Sequence, residues 1–327
     1  MTAPVRDLDL RRATDADLPA VLALLAATLS WERDTRHEAL FAWKHRNNAF
    51  GASPAWVAYD GDRLAGFRAL MRWEFERGGR VLRAVRAVDT ATDAAYQGRG
   101  IFTKLTLLAL DELRDEIDFV FNTPNDQSRP GYLKMGWVLV GRLPVFARPV
   151  SVGGLVRMAR ARTPAELWSL PSAAGERAAD VLAQRDDLAA LIDSRPVADR
   201  VRTRLTPEVL AWRYGLALHN YRAVVAPGGL REGVAFFRLR RRGSASEAAC
   251  SLVLAANDDR RVRARLAAKV AKVSKADYAV SVGNAPGATF MRVPGDNGPT
   301  LTWRAVRQTT APTLDEWALT LGDIELF

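Results

Sequence analysis

Cysteine and histidine are nearly missing from this 327-residue chain. The lone Cys250 excludes an internal disulfide and a cysteine-based zinc site, and His37, His45 and His219 are too few and too scattered for a metal cluster, so no metal is expected. No apolar run approaches the ~18–20 residues that a membrane-crossing helix needs, so no membrane partner is expected either. Residues 1–18, MTAPVRDLDLRRATDADL, carry charges where a signal peptide needs its apolar core, and the expected location is cytoplasmic. Lysine is scarce too, with six against 41 arginines. With 37 acidic residues the balance is still +10. That surplus invites a polyanionic partner, yet its arginine skew in an alanine-rich background reads equally as a codon-composition habit. With 48% hydrophobic and 26% charged residues, the chain has ordinary globular composition and enough length for two domains.

The first half alternates legibly. After Leu10, Thr14 can cap a helix with Leu18, Val21, Leu22 and Leu25 on one face. Runs at 56–59 and 64–73, joined by Asp60-Gly61-Asp62, read as a hairpin, and Gly78-Gly79 turns the chain into a long strand over 81–92. A helix with Ile101, Leu105, Leu108, Leu113 and Ile117 in register follows, then a strand at 119–121. The order β-α-β-β-β-α-β predicts an α/β (mixed-sheet α+β) fold with helices on the sheet faces.

Residues 150–199 are Ala/Arg-rich, broken by Pro164, Pro171 and Pro196, and read as a helical connector. Beyond it the first half recurs in degraded form: FAWKH at 41–45 is echoed by LAWRY at 210–214, an offset of 169 residues. Two strand runs over 221–240, a strand at 249–254, a helix capped by Asn257 and reaching Lys275, and strands at 278–282, 289–293 and 301–306 fill the second half. The expected division is 1–149, 150–199 and 200–327.

Chemistry concentrates in TATDAAYQGRGIFTKL, residues 90–105. Gln97, Gly98, Arg99 and Gly100 form a turn at a helix N-terminus, where orphan amides and the helix dipole attract phosphate. The spacing fits neither G-x-x-x-x-G-K-[ST] nor G-x-G-x-x-G. Gln97-x-x-Gly100-x-Phe102 instead resembles the Q/R-x-x-G-x-G/A pyrophosphate loop of the GCN5-related N-acetyltransferases, the GNAT family, and the element order over residues 8–148 resembles that fold. It departs at Phe102, where the family usually has Gly or Ala, so that side chain is expected to splay or pack inward. NTPNDQSRPGYLKMGW, residues 122–137, is similar to the segment that follows in these enzymes.

The resemblance implies acetyl-CoA as co-substrate and a small amine acceptor, the catalytic domain in the first part and a degenerate GNAT-like domain in the last. The backbone amides of Gln97, Gly98, Arg99, Gly100, Ile101, Phe102 and Thr103 would hold the pyrophosphate, with Arg99 as a charge partner. Asp89, Thr90, Ala91 and Thr92 end the strand that would pair with the pantetheine arm and polarise the thioester carbonyl. Tyr132 stands where the family places its general acid, or else anchors the core around Met135 and Trp137. Asn122, Asn125 and Ser128 are candidates for cofactor hydrogen bonds or for helix capping. For the base, Asp89 lies in an apolar strand where burial would raise its pKa toward a useful range; alternatives are the Phe327 carboxylate, which in Eis-like relatives enters the active site, and water.

AANDDRR at 255–261 has no glycine and puts Asp258 and Asp259 where phosphate would bind, so the second half is not expected to hold the cofactor. Trp43, Trp56, Trp73, Phe75 and Trp137 read as core with some left to line an acceptor pocket, and Glu32, Asp34, Glu74 and Asp126 could receive a cationic amine. The function expected is N-acetyl transfer to an amine of a small molecule, sugar or peptide, by direct attack, because Cys250 lies outside the inferred site. A Fem-like tRNA-dependent aminoacyl transferase would suit the charge but generally lacks the pyrophosphate loop. A non-catalytic acyl-CoA-binding module is the third class. Nucleic acid is not an expected partner, since no helix-turn-helix stands out; a homodimer is admitted.

Overall fold

The structure, a computed structural model, describes residues 8–29, 31, 35–161, 163–295 and 297–325. The chain forms two compact units, neither of them contiguous: the first takes residues up to Phe75, Leu82–Gly141 and Thr300–Ala311, and the second takes Glu76–Val81, Arg142–Pro299 and Pro312–Phe327.

In the first unit β1 (Asp9–Arg12) leads to α1 (Leu18–Leu29), α2 (Thr35–His45), β2 (Ala55–Asp60), β3 (Arg63–Arg77), β4 (Arg80–Thr92), α3 (Ile101–Glu112), β5 (Phe119–Asn122), α4 (Arg129–Lys134) and β6 (Val138–Arg142). The turn before α1 is closed by Thr14, whose N–H and hydroxyl both donate to Asp17. The β3 side chains divide between two layers. Phe67 and Ala69 face Val21, Leu25 and Phe41 of the first two helices, whereas Leu70 joins Ile101, Leu105 and Ala109 of α3. This alternation is the strand period of two, and α3 meets it with an apolar stripe at helical spacing.

The second unit runs through β7 (Val145–Pro149), α5 (Val152–Arg160), β8 (Glu176–Arg177), α6 (Ala178–Leu182), α7 (Arg185–Asp193), β9 (Arg202–Thr203), α8 (Pro207–Gly215), β10 (Arg222–Val225), β11 (Gly233–Arg242), β12 (Ala245–Ala255), α9 (Arg260–Ser274), β13 (Tyr278–Val282) and β14 (Met291–Arg292). After β15 (Thr300–Ala305), α10 (Leu321–Ile324) follows. The second sheet is ordered β14-β7-β13-β12-β11-β10-β8. Its β10, β11 and β12 are antiparallel and β12 lies parallel to β13.

Three sequence expectations are corrected. The strand at 301–306 belongs to the first sheet, ordered β1-β2-β3-β4-β5-β15-β6, where β15 lies antiparallel to β5. Its alternation gives a strand, but pairing over such a separation has no local signature. The strand at 289–293 shrinks to β14. The cap of α9 is Asp259, which accepts from the amides of Arg261 and Val262, while Asn257 sits at φ 54° outside the helix.

Candidate active site

The cleft of the first unit begins where β4 leaves β5. Their parallel pairing is Ala84↔Phe119, Val85↔Val120 and Arg86↔Phe121, and β4 then runs on to Thr92 beyond that register. Within this free stretch Asp89 is at φ 39°, a left-handed conformation uncommon for a residue with a side chain, so the strand is kinked there. Thr90 remains tied to β3 by its hydroxyl, 3.2 Å from the Phe67 carbonyl.

Gln97, Gly98, Arg99 and Gly100 are exposed ahead of α3, whereas Ile101 is buried and anchors the helix. Gly98 (φ 76°) and Gly100 (φ 73°) take left-handed conformations that favour glycine, and a Cβ at either would meet nothing within 4 Å. Gly100 is the N-cap and offers no side chain, so the first amides of α3 have no side-chain acceptor. Arg99 lies over the Tyr96 ring at 4.9 Å, on the same exposed rim. Open space over the glycines, amide donors and a cation fit a pyrophosphate.

Phe102, at the second position of α3, packs inward, with its ring edge-on to Tyr132 at 5.3 Å. Tyr132 is 3% exposed on α4 and its hydroxyl accepts from Arg68 Nη1 at 2.9 Å. Arg68 is fully buried, with its guanidinium 5.3 Å from the Phe102 ring centroid and 5.4 Å from that of Tyr132. Its Nε and Nη2 have no hydrogen-bond partner among the described residues. Because Tyr132 accepts from Arg68, its own O–H is free to point elsewhere.

Asp89 meets two residues of α2: one oxygen, Oδ2, is 2.5 Å from Lys44 Nζ and 2.7 Å from His45 Nε2. The expected upward shift of Asp89 is overturned. Burial does push its carboxyl up, but the Lys44 charge and the His45 hydrogen bond outweigh it and hold the group well below the usual carboxylate range. For His45 burial dominates and lowers its pKa; Asp89 opposes and Lys44 adds to the lowering, so the imidazole is neutral at pH 7. Since an ionised carboxylate only accepts, Nε2 carries the proton and Nδ1 keeps a lone pair, buried and without a partner among the described residues.

This combination of parting strands, glycine turn and following helix has known counterparts. Residues 9–140 match the family model described as an acetyltransferase (GNAT) domain. That stretch resembles a GNAT domain. No curated protein matches the chain. Among solved structures, a conserved protein of unknown function from Enterococcus faecalis V583, described as a probable N-acyltransferase, is similar with TM-score 0.64 and 10% identity, over 92% of this chain and 73% of that one. A GCN5-related N-acetyltransferase from Anabaena variabilis ATCC 29413 gives 0.62 and 12%, over 91% and 73%. Eis1 from Mycobacterium abscessus gives 0.54 and 13%, again over 91% and 73%. These likenesses establish the fold, and the two mixed sheets are compatible with a tandem form.

Not every residue expected at the site stands free in the GNAT domain. Asn122 is buried, and its side-chain oxygen accepts from the Thr302 hydroxyl of β15. Asn125 accepts from the Ser128 amide at 2.9 Å and its hydroxyl at 2.8 Å, so these two close the turn into α4. Trp43, Trp56, Trp73, Phe75 and Trp137 are all buried core. Asp126 is paired with Arg129. Glu32, Asp34 and Phe327 lie outside the described residues. In the second unit Asp259 occupies the first amides of α9 and Asp258 pairs with Arg195 and Arg202, so the position equivalent to the glycine turn is closed by carboxylates. Sequence reasoning missed Arg68, Lys44 and His45. FAWKH reads in the sequence as a repeat, although a Lys-His pair ending a helix, with an acid in a later apolar strand, is the available signal.

Proposed function

We propose that this chain is an acetyl-CoA-dependent N-acetyltransferase that moves an acetyl group to a primary amine of a small molecule, sugar or peptide by direct attack in a ternary complex. One observation carries the reading: the uncapped start of α3, behind two left-handed glycines with open space over them, lies just past the point where β4 parts from β5. Acetyl-CoA, when bound, supplies an acyl group activated as a thioester. The amides from Gln97 to Thr103, with Arg99, hold its pyrophosphate. The unpaired edge of β4 at Asp89, Thr90, Ala91 and Thr92 orients the pantetheine and offers a backbone N–H to the acyl oxygen. Tyr132, steadied by Arg68, gives a proton to the departing sulfur. Cys250 is not a competing nucleophile, because burial pushes its thiol up to about 12.

The test is a thermal-shift series on the full chain with acetyl-CoA, free CoA and tRNA. Stabilisation by both CoA forms but not by tRNA is expected, and no response to either CoA form overturns the reading. Tyr132→Phe should lower turnover on the order of 10²-fold with acetyl-CoA affinity little changed. Wild-type turnover in that variant would reject Tyr132 as the acid.

A further inference from the structure

On the α1–α2 side of the GNAT domain lies a cavity of about 350 Å³, at the small end of the ~300–1,000 Å³ typical of ligand sites. Leu18 and Val21 of α1, Phe41 of α2, and Phe67 and Ala69 of β3 make its walls apolar. Its rim carries Asp15 and Arg46, paired at 2.5 Å. Two lining residues have a buried polar atom with no partner among the described residues, Nδ1 of His45 and Oγ of Ser53. Such an atom is destabilising when buried unless a ligand or water satisfies it. His45 is 5% exposed and reaches from this cavity to Asp89, within the free stretch of β4.

We propose that this cavity holds the acceptor, a primary amine on a compact apolar body, and that His45, oriented by Asp89, takes the proton from its nitrogen. The proposal rests on the acetyltransferase reading above. As the N–C bond forms and the C–S bond breaks, one N–H proton passes to His45 Nδ1 and the departing thiolate takes one from Tyr132. Transfer of the His45 proton to Tyr132 through solvent restores both groups, so the products are amide and free thiol with no net change in the protein. The imidazolium formed is held by the ionised Asp89 through Nε2–H. Asp89 itself is a weaker proton acceptor, because Lys44 and His45 already occupy its charge. The ionisable groups around His45 are Lys44 on its own helix, Asp89 from β4, and the Asp15–Arg46 pair at the rim. The rim pair is balanced and the walls are apolar, which disfavours a polycation.

The probe is 2-phenylethylamine, titrated calorimetrically into the full chain without acetyl-CoA, with acetyl-CoA binding measured separately. Wild type should bind it; Ala69→Leu and Val21→Phe, which fill the cavity from β3 and α1, should each weaken it at least tenfold while still binding acetyl-CoA. His45→Gln should keep amine binding within a few-fold and lose on the order of 10²-fold in kcat, together with the acid limb of the pH–rate profile. In ¹⁵N spectra the His45 imidazole should shift on adding the probe. No probe binding by wild type, unchanged binding in both filled variants, or His45→Gln turning over within threefold of wild type with the same acid limb overturns the proposal. Loss of acetyl-CoA binding by wild type would instead defeat the acetyltransferase reading, and the amine titration would still report on the cavity.

Discussion

Replacing Gly100 by alanine isolates the contribution of the loop's backbone. An added Cβ meets nothing within 4 Å, so no steric clash enters, and what remains is the cost of holding an L-residue at φ 73°. That cost is about 1–2 kcal/mol. If the turn keeps its shape, the whole amount appears as lost stability, about 1.5–3 °C in Tm for a protein of 327 residues. If the turn relaxes in the free protein, stability is spared and the strain returns when the amides must reconverge on pyrophosphate, weakening acetyl-CoA about 5- to 30-fold. The two losses should therefore sum to about 1–2 kcal/mol. Gly229, at φ 92° in the turn between β10 and β11 of the second unit with nothing within 4 Å, provides the control: Gly229→Ala carries similar backbone strain outside the glycine turn. Melting curves and calorimetric titration on both variants separate the terms. Gly100→Ala should bind acetyl-CoA more weakly than Gly229→Ala or melt lower in a loop that still binds. Affinity and melting both at wild-type values in Gly100→Ala would refute the reasoning.

Arg68→Met removes a buried cation with two nitrogens unpartnered among the described residues, so the variant should melt at or above wild type while turnover falls at least tenfold; a lower Tm with full turnover would show that the residue is structural only. In the second unit, burial alone would raise the Glu325 carboxyl, but the charges of Arg240 and Arg238 hold it down to about 2. A depressed carboxylate stabilises above its unfolded pKa and loses that contribution as pH falls. The wild type should therefore lose about 3 kcal/mol between pH 5 and 2 that Glu325→Gln does not, read from denaturant unfolding across that window, and parallel curves would contradict the assignment. Leu105→Ala, in the core between α3 and the sheet, should cost about 2–5 kcal/mol by the same measurement, a loss below 1 kcal/mol being inconsistent with that packing.

What could be read from the chain followed the range of the forces involved. The helices and strands of the first unit are marked by local periodicity, and the glycine turn by residues whose backbone freedom is visible in their names. Asp89 was conspicuous as an acid in an apolar strand, yet its proton affinity was misjudged because the two groups that reverse it come from α2, 44 residues before His45's partner. Arg68 sits between apolar neighbours on a strand, where nothing nearby in sequence shows that it will be enclosed by Phe102 and Tyr132 from two separate helices. The placement of β15 is the extreme case, since strand alternation fixes a face and says nothing about the sheet.

That strand also sets a clock for biosynthesis. Thr302 closes on Asn122 across 180 residues. At ~5–20 residues per second, a ribosome needs about 9–36 s after making β5 to deliver its neighbour. Until then β5 and β6 lack the strand that separates them, and two hydrogen-bonding edges beside the proposed cofactor cleft are open to any passing chain. Those edges thus stay open for longer than the local elements need to form. A fragment ending after β6 would be caught permanently in that vulnerable state.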